Sequence, residues 1–410
     1  MKNKNGFITG LVLILVVSNS TFSSDIYLPS LPQMASYFSI TSQVAQLTLS
    51  VYMLGFALSV LLSGSLSDRF GRKKVLITGL TMHFIASIAC IFSPSIMALI
   101  VLRFFQALGG CCGTVLARVI VRDSYDQSTS IRMLSSISAG LSVALVIAPI
   151  FGGIIQTHFE WRGSFVCISI FSMAILLLSL LFIRETVGKS NITPLNISNV
   201  VSGYFYAIKN RNFVCYTLII SLAWGAFFSF VCASSFIFIN GYHFSPSTYG
   251  LIYGFIVLSY ISGALIARRF SSKIGTYNSV SLAVWLSFFA GIFMILSPLL
   301  HYQIFYVCIF IFLYIGAIGL IMPNCQAGAI SDFKTSIGTI SSLFYFIEMM
   351  FGAIFSFLVG HIFNGNFLLS VSTLMFISGV LMLISLRALS RKDFSIKSSL
   401  IAFKRRQPIL

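Results

Sequence analysis

Charge is what this sequence has least of. Nine of its 410 residues are Asp or Glu, and all four charged types together make up 9%, against roughly a quarter in soluble domains. So few charges cannot cover a chain of this length against water. Cytosolic enzymes, secreted disulfide scaffolds, disordered chains and coiled coils are excluded on that ground. Cysteines in polar loops are missing too. Cys90, Cys111, Cys112, Cys167, Cys215, Cys232, Cys308 and Cys325 all fall in apolar stretches, where a thiol behaves as a small hydrophobe. No disulfide framework or metal site is implied. Absent as well are H-E-x-x-H, G-x-S-x-G, a P-loop and paired carboxylates one helical turn apart, which argues against a membrane enzyme.

What is present is apolar: 57% hydrophobic residues, 41 of them Phe, and a mean hydropathy of +0.97. The net charge of +17 would suggest nucleic acid in a soluble chain. Here the bases lie between apolar runs rather than in a patch, so no nucleic-acid partner is expected. About 20 apolar residues cross a bilayer as a helix. Twelve such spans are predicted at 7–28, 45–67, 75–93, 96–119, 133–157, 162–183, 212–236, 247–267, 278–298, 302–323, 337–360 and 366–387. The runs are too long for barrel strands and lack their alternation. The first follows Lys2 and Lys4 but precedes no small-residue cleavage site, so it is read as a retained helix.

Lys and Arg fix the expected orientation. With the N-terminus inside, 24 of the 26 bases fall on the cytoplasmic side, Arg162 alone on the other, and Arg103 inside a span. Both termini are therefore expected in the cytoplasm. Five histidines add little: His83 lies in span 3, and His158, His243, His301 and His361 read as anchors near the outer face. The chain divides into a six-span bundle (1–183), a polar linker (184–211), a second six-span bundle (212–390) and a basic tail (391–410). Two rocking bundles around a midplane site are what alternating access requires.

Several strings carry more. Gly64-Ser65-Leu66-Ser67-Asp68-Arg69-Phe70-Gly71-Arg72-Lys73-Lys74 joins spans 2 and 3. Gly71 permits the tight turn, Gly64 is expected to admit a neighbouring helix, and Asp68 can accept from a helix N-terminus or pair with Arg. A partial copy, Ala267 to Gly275, follows span 8 without the Asp. Arg103, Gln106, Gly109 and Gly110 lie in span 4. Pro149, Gly152 and Gly153 lie in span 5, where a kinked, closely packed helix is expected near the bundle interface. Asp25-Ile26-Tyr27-Leu28-Pro29 closes span 1, and Arg122-Asp123-Ser124-Tyr125 follows span 4.

The first string resembles the G-x-L-x-D-R-x-G-R-K signature of the major facilitator superfamily. The span 4 string is similar to its R-x-x-Q-G motif, with Ala107 for Gly, and the span 5 string to its antiporter motif G-P-x-x-G-G, with Ala148 for Gly. The strings at Asp25 and Arg122 resemble the Bcr/CflA drug-resistance subfamily of drug:proton antiporters. That resemblance implies a twelve-helix all-α membrane fold and a monomer in a bacterial inner membrane. The gradient of protons would drive it without a cofactor. It also implies a cytoplasmic latch of Gly64, Asp68, Arg69, Gly71, Arg72, Arg122 and Asp123. Where the subfamily is expected to carry Gln, this chain has Glu348.

An ionisable group within a membrane marks function by default. Asp25 sits just before the outer end of span 1. Arg103 lies about 10 Å below the outer start of span 4. The two are expected at similar depth, either as a proton-coupling carboxylate tuned by its base, as a structural pair, or with Asp25 facing water. Glu348 falls near the middle of span 11 with no base within ten positions on its own helix. It reads as a second proton-exchanging site and anchor for a cationic substrate, or as a neutral core Glu. Tyr52, Gln106, Trp224, Phe344 and Tyr345 join Asp25, Arg103 and Glu348 as candidate substrate contacts, the aromatics offering π-faces to cations. The expected function is proton-coupled efflux of small amphipathic molecules. A dedicated metabolite or siderophore exporter, an uptake symporter and a non-transporting sensor are the rivals.

Overall fold

Long apolar segments must satisfy their own backbone in lipid, and helices do so. The computed structural model describes residues 2–186, 197–297, 303–333, 337–362 and 366–404, and these form helices joined by short turns. The first six crossings use α1 (Lys2–Asp25) with a 3-10 turn and α2 (Leu31–Tyr37), α3 (Ser42–Phe70), α4 (Arg72–Ile91), α5 (Ile96–Gly110) with α6 (Cys112–Ser124), and both arms of α7 (Gln127–Phe182). A short α8 (Ile197–Lys209) precedes the second six: α9 (Arg211–Ser235), α10 (Pro246–Ile274), α11 (Thr276–Leu296), α12 (Ile304–Ile330), α13 (Ile337–His361) and α14 (Phe367–Lys404).

Spans 5 and 6 are one continuous helical trace of 56 residues, broken only at Glu160, whose φ of 56° and ψ of −173° turn the chain back. Gln33 pins this corner: its Oε1 accepts from Gln156 Nε2 at 2.7 Å and from the Trp161 backbone N–H at 2.9 Å. Counting the two arms separately gives twelve crossings. The helix runs without a break through Pro149.

Two departures concern the segments outside the spans. The linker contains α8, an amphipathic helix with Phe205 and Tyr206 largely exposed, and the Tyr206 ring meets Phe333 at 5.5 Å. Linker residues 187–196, His301, tail residues 405–410 and the tail bases' side chains lie outside the described residues. The tail backbone continues α14 to Lys404.

The loop at Gly71 defines what is called here the basic end, and the turn at Ser39–Thr41 the far end. Gly71 (φ 94°) and Gly275 (φ 84°) end α3 and α10 in the same way. Both occupy a backbone region that disfavours side chains, so the partial sequence copy is a copied turn. The two sets of six crossings meet along two helix pairs, α3 with α13 and α7 with α10.

Candidate functional site

The meeting of the two bundles is closed at the far end by backbone-to-backbone contact. A Cβ on Gly153 would strike the Pro246 carbonyl of α10, and one on Gly250 would lie 2.5 Å from the Pro149 carbonyl. Thr157 and Ser247 share a hydroxyl hydrogen bond of 2.9 Å beside them. On the other helix pair, a Cβ on Gly360 would lie 2.6 Å from Gln46 Oε1, and Gln46 Nε2 donates to the Cys232 carbonyl at 3.4 Å. Gly152 serves a different contact, facing the Ile26 carbonyl within the first bundle. The span 5 motif thus joins α7 both to α1 and to α10.

Below this seal lies a cavity with about 870 Å³ of space between its atoms, its opening to bulk included. Val17 to Asp25 of α1, Met53 to Val60 of α3 and Thr114 to Arg118 of α6 line one side. Trp224 to Val231 of α9, Tyr253 and Tyr260 of α10 and Tyr345 of α13 line the other. Two donors on this wall, Trp224 Nε1 and the Tyr253 hydroxyl, have no hydrogen-bond partner. A largely apolar, aromatic chamber with a few free polar groups is the usual form of a small-molecule site.

Of the residues singled out from sequence, Asp25, Trp224 and Tyr345 stand on this wall. Tyr52, Arg103, Gln106, Phe344 and Glu348 lie behind it, each fully buried. Asp25 accepts from Ser24 Oγ at 2.7 Å. No ion pair within 4 Å joins it to Arg103, so the structural pair considered from sequence does not form, and neither does open exposure to water.

Arg103 is instead held between rings, its guanidinium 4.1 Å from the centroids of both Tyr27 and Tyr52. One Nη donates to the Ser23 carbonyl at 3.1 Å and to Gln106 Oε1. Gln106 continues the chain by donating to Ser87 Oγ at 2.7 Å, and its carbonyl meets His83 Nδ1 at 2.8 Å. His83 Nε2 in turn lies 3.2 Å from Ser23 Oγ. A Cβ on Gly110 would collide with the His83 ring, and one on Gly109 would lie 2.7 Å from the His83 backbone nitrogen. The span 4 glycines therefore admit α4, and with it this polar network. Ser23, His83 and Ser87 carried no sequence signal beyond polarity inside a span.

Glu348 is fully buried on α13, and both its carboxyl oxygens lack hydrogen-bond partners. The base whose field reaches it is Arg118, one of the 24 counted from sequence as facing the cytoplasm. The structure puts Arg118 on the cavity wall instead. Its Nη1 donates to the Tyr345 hydroxyl at 2.8 Å, with the guanidinium 5.4 Å from that ring. Sequence pattern could have flagged it, since it precedes Val119, Ile120 and Val121 rather than following the last apolar residue.

At the basic end, Arg72 pairs with Asp68 and, through Nε at 3.2 Å, with Asp123. Its Nη1 also donates to Ser67 Oγ at 2.6 Å. Glu185, passed over in the sequence, caps α4 by accepting from the backbone N–H groups of Arg72 and Lys73 at 2.8 and 3.1 Å. An anion at a helix N-terminus meets unpaired N–H groups and the favourable end of the dipole. Arg69 lies 5.2 Å from the Phe70 ring, and Arg122 is exposed with no ion pair. A Cβ on Gly64 would meet nothing within 4 Å, so the helix contact expected of it is not made. Asp68, Arg72, Asp123 and Glu185 all belong to the first bundle or its exit.

The model for the family described as Major Facilitator Superfamily matches residues 13–357. The chain belongs to that superfamily. Among its relatives, a bicyclomycin resistance protein homolog of Haemophilus influenzae is 27% identical over 358 residues, covering 87% of this chain and 90% of the relative. Multidrug resistance protein D of Escherichia coli is 23% identical over 353 residues, covering 84% and 86%. A solved bacterial homolog of the human lysosomal transporter Spinster, in an inward-facing and unoccupied conformation, superposes with a TM-score of 0.74. That match has 16% identity and covers 95% of this chain and 96% of that one. This is a multi-pass transporter of the bacterial inner membrane, not an enzyme.

Proposed function

We propose that this transporter expels small amphipathic molecules in exchange for protons by alternating access. The observation that carries the reading is the chamber between the bundles, sealed at the far end and walled by aromatics around the single acid Asp25. With both termini in the cytoplasm, as the basic loops favour, the far end faces outward. This conformation is then closed to the exterior. Residues 1–183 and 212–390 are the two rocking units, joined by the linker 184–211.

In the outward-open state, protons from the exterior load Asp25 and Glu348. After rocking, a cytoplasmic substrate displaces the proton from Asp25, the carboxyl that stands on the wall. Glu348, buried without a partner, keeps its proton as substrate binds in this conformation, because an unpaired buried carboxylate costs several kcal/mol, and releases it later in the cycle. Arg103 acts on Asp25 through space from its place between Tyr27 and Tyr52. Asp68, Arg72, Asp123 and Glu185 brace the first bundle so that it moves as one body. The names of the drug-resistance relatives support this class of substrate.

The test is tracer flux in inverted membrane vesicles under an imposed pH gradient. Export predicts accumulation inside the vesicles when the lumen is acid, and its loss in Asp25→Asn. Movement in the opposite sense would favour an uptake symporter. Handling of one metabolite, with a drug panel excluded, would favour a dedicated exporter.

A further inference from the structure

Arg118 is the one base among the residues lining the cavity, and Asp25 the one acid. Their levels follow from packing. A Cβ on Gly113 of α6 would lie 2.5 Å from Val16 Cγ1 of α1, so these two positions share a depth. Asp25 is nine residues from Val16 toward the far end, and Arg118 five residues from Gly113 toward the basic end. At 1.5 Å per residue the two stand about 20 Å apart along the helix axes. Asp25 therefore cannot serve as the partner of Arg118.

Among the described residues no other acid does so. Glu348 sits three positions from Tyr345 on α13, off the cavity wall, and its carboxyl oxygens make no hydrogen bond. The hydrogen-bond partner of Arg118 is the Tyr345 hydroxyl at 2.8 Å. A guanidinium offers five donors in a planar fork that matches a carboxylate. With one donor used, the fork on the basic-end side of the cavity is open to a ligand. The apolar, aromatic wall beyond it, with the free Trp224 Nε1 and Tyr253 hydroxyl, suits a ring system attached to that anion.

We propose that Arg118 is a substrate-binding residue that selects aromatic amphipaths bearing a carboxylate, and that such an anion enters by drawing Arg118 away from Tyr345. The proposal deepens the transporter reading and rests on the same cavity. Because Arg118 and Tyr345 belong to different bundles, their bond also ties α6 to α13. Binding of the anion replaces that bond with one held in the first bundle and frees α13.

The test uses the full chain in lipid nanodiscs and equilibrium binding of norfloxacin, which carries an aromatic carboxylate, beside its methyl ester, which lacks the anion. Wild type is expected to bind the acid about tenfold or more tightly than the ester, as charge-assisted hydrogen bonds allow. Arg118→Gln should erase that preference by weakening acid binding far more than ester binding. Arg118→Lys, which keeps the charge without the fork, should retain part of it. Tyr345→Phe should raise affinity for the acid a few-fold, because the competing hydroxyl is gone. A wild type that does not prefer the acid overturns the proposal, as does a preference surviving Arg118→Gln. Equal loss of acid and ester in both Arg118 variants overturns it too. Discrimination that depends on Arg118 without flux of either probe would sustain this inference and defeat the export reading.

Discussion

Substituting Gly153 by Ala tests the far-end seal without touching the cavity. The added Cβ would strike the Pro246 carbonyl and lie 3.0 Å from both the Pro246 carbonyl carbon and Ser247 Cα. These are backbone atoms, so no side chain can swing away, and α10 must retreat by on the order of 1 Å. Overpacking of this kind costs about 1–3 kcal/mol. The contact exists only when the far end is closed, so the cost falls on that state alone. It shifts the closed-to-open ratio by about fivefold to about 150-fold. A ratio of ten to one would fall to about two to one or invert to about one to fifteen.

The readout is disulfide formation between cysteines introduced at Thr157 and Ser247, whose hydroxyls are 2.9 Å apart. Cross-linking should slow in the Gly153→Ala background while the protein remains folded. Gly152→Ala is the contrast, since its clash with the Ile26 carbonyl lies within one bundle and persists in both states. It should lower stability without shifting the cross-linking rate. An unchanged cross-linking rate in folded, active Gly153→Ala would mean that this glycine contact does not hold the far end closed.

Glu348→Gln should abolish pH-coupled transport while leaving yield and thermal stability near wild type, as followed by flux and by melting in detergent; coupled transport that survives would sink the second proton site. Arg103→Lys keeps the charge but loses the stacking between Tyr27 and Tyr52, and should lower the melting temperature more than Arg122→Lys at its exposed position. Glu185→Gln removes the anion capping α4 and should slow turnover with substrate affinity preserved, read from the split between maximal rate and half-saturation. Asp126 caps α7 by accepting from Ser128 and Thr129, and these bonds hold its carboxyl well below the usual carboxylate range. A depressed folded value stabilises above the unperturbed 3.8 and is lost as pH falls through the folded value. The stability gap between wild type and Asp126→Ala should therefore be flat from pH 5 to 8 and close only in strong acid.

The crossings were legible because lipid imposes a simple demand, about 20 apolar residues for each helix. Motif glycines were legible where the backbone demands them, in the turn at Gly71 and in the close helix contacts of Gly109 and Gly153. Gly64 was not, since spacing says which residue is small but not which face of the helix has a neighbour. Asp25 and Glu348 stood out as rare acids, yet one is on the wall and the other behind it, a difference of helix rotation that hydropathy does not encode. Arg118 was hidden for a related reason. Counting bases by loop assigns a residue near a helix end to the water, whereas its side chain reaches α13 across the cavity. Glu185 and His83 act on elements far away in sequence, through 113 and 23 positions respectively, and a single sequence carries no trace of such pairing.

If substrate and proton compete for Asp25, substrate binding must release protons. The measurement is to add a transported substrate to the purified protein in weakly buffered detergent and record proton release with an indicator dye. Net release is expected from wild type on binding, and none from Asp25→Asn under conditions where it still binds. Saturating binding to wild type with no proton released would contradict that competition.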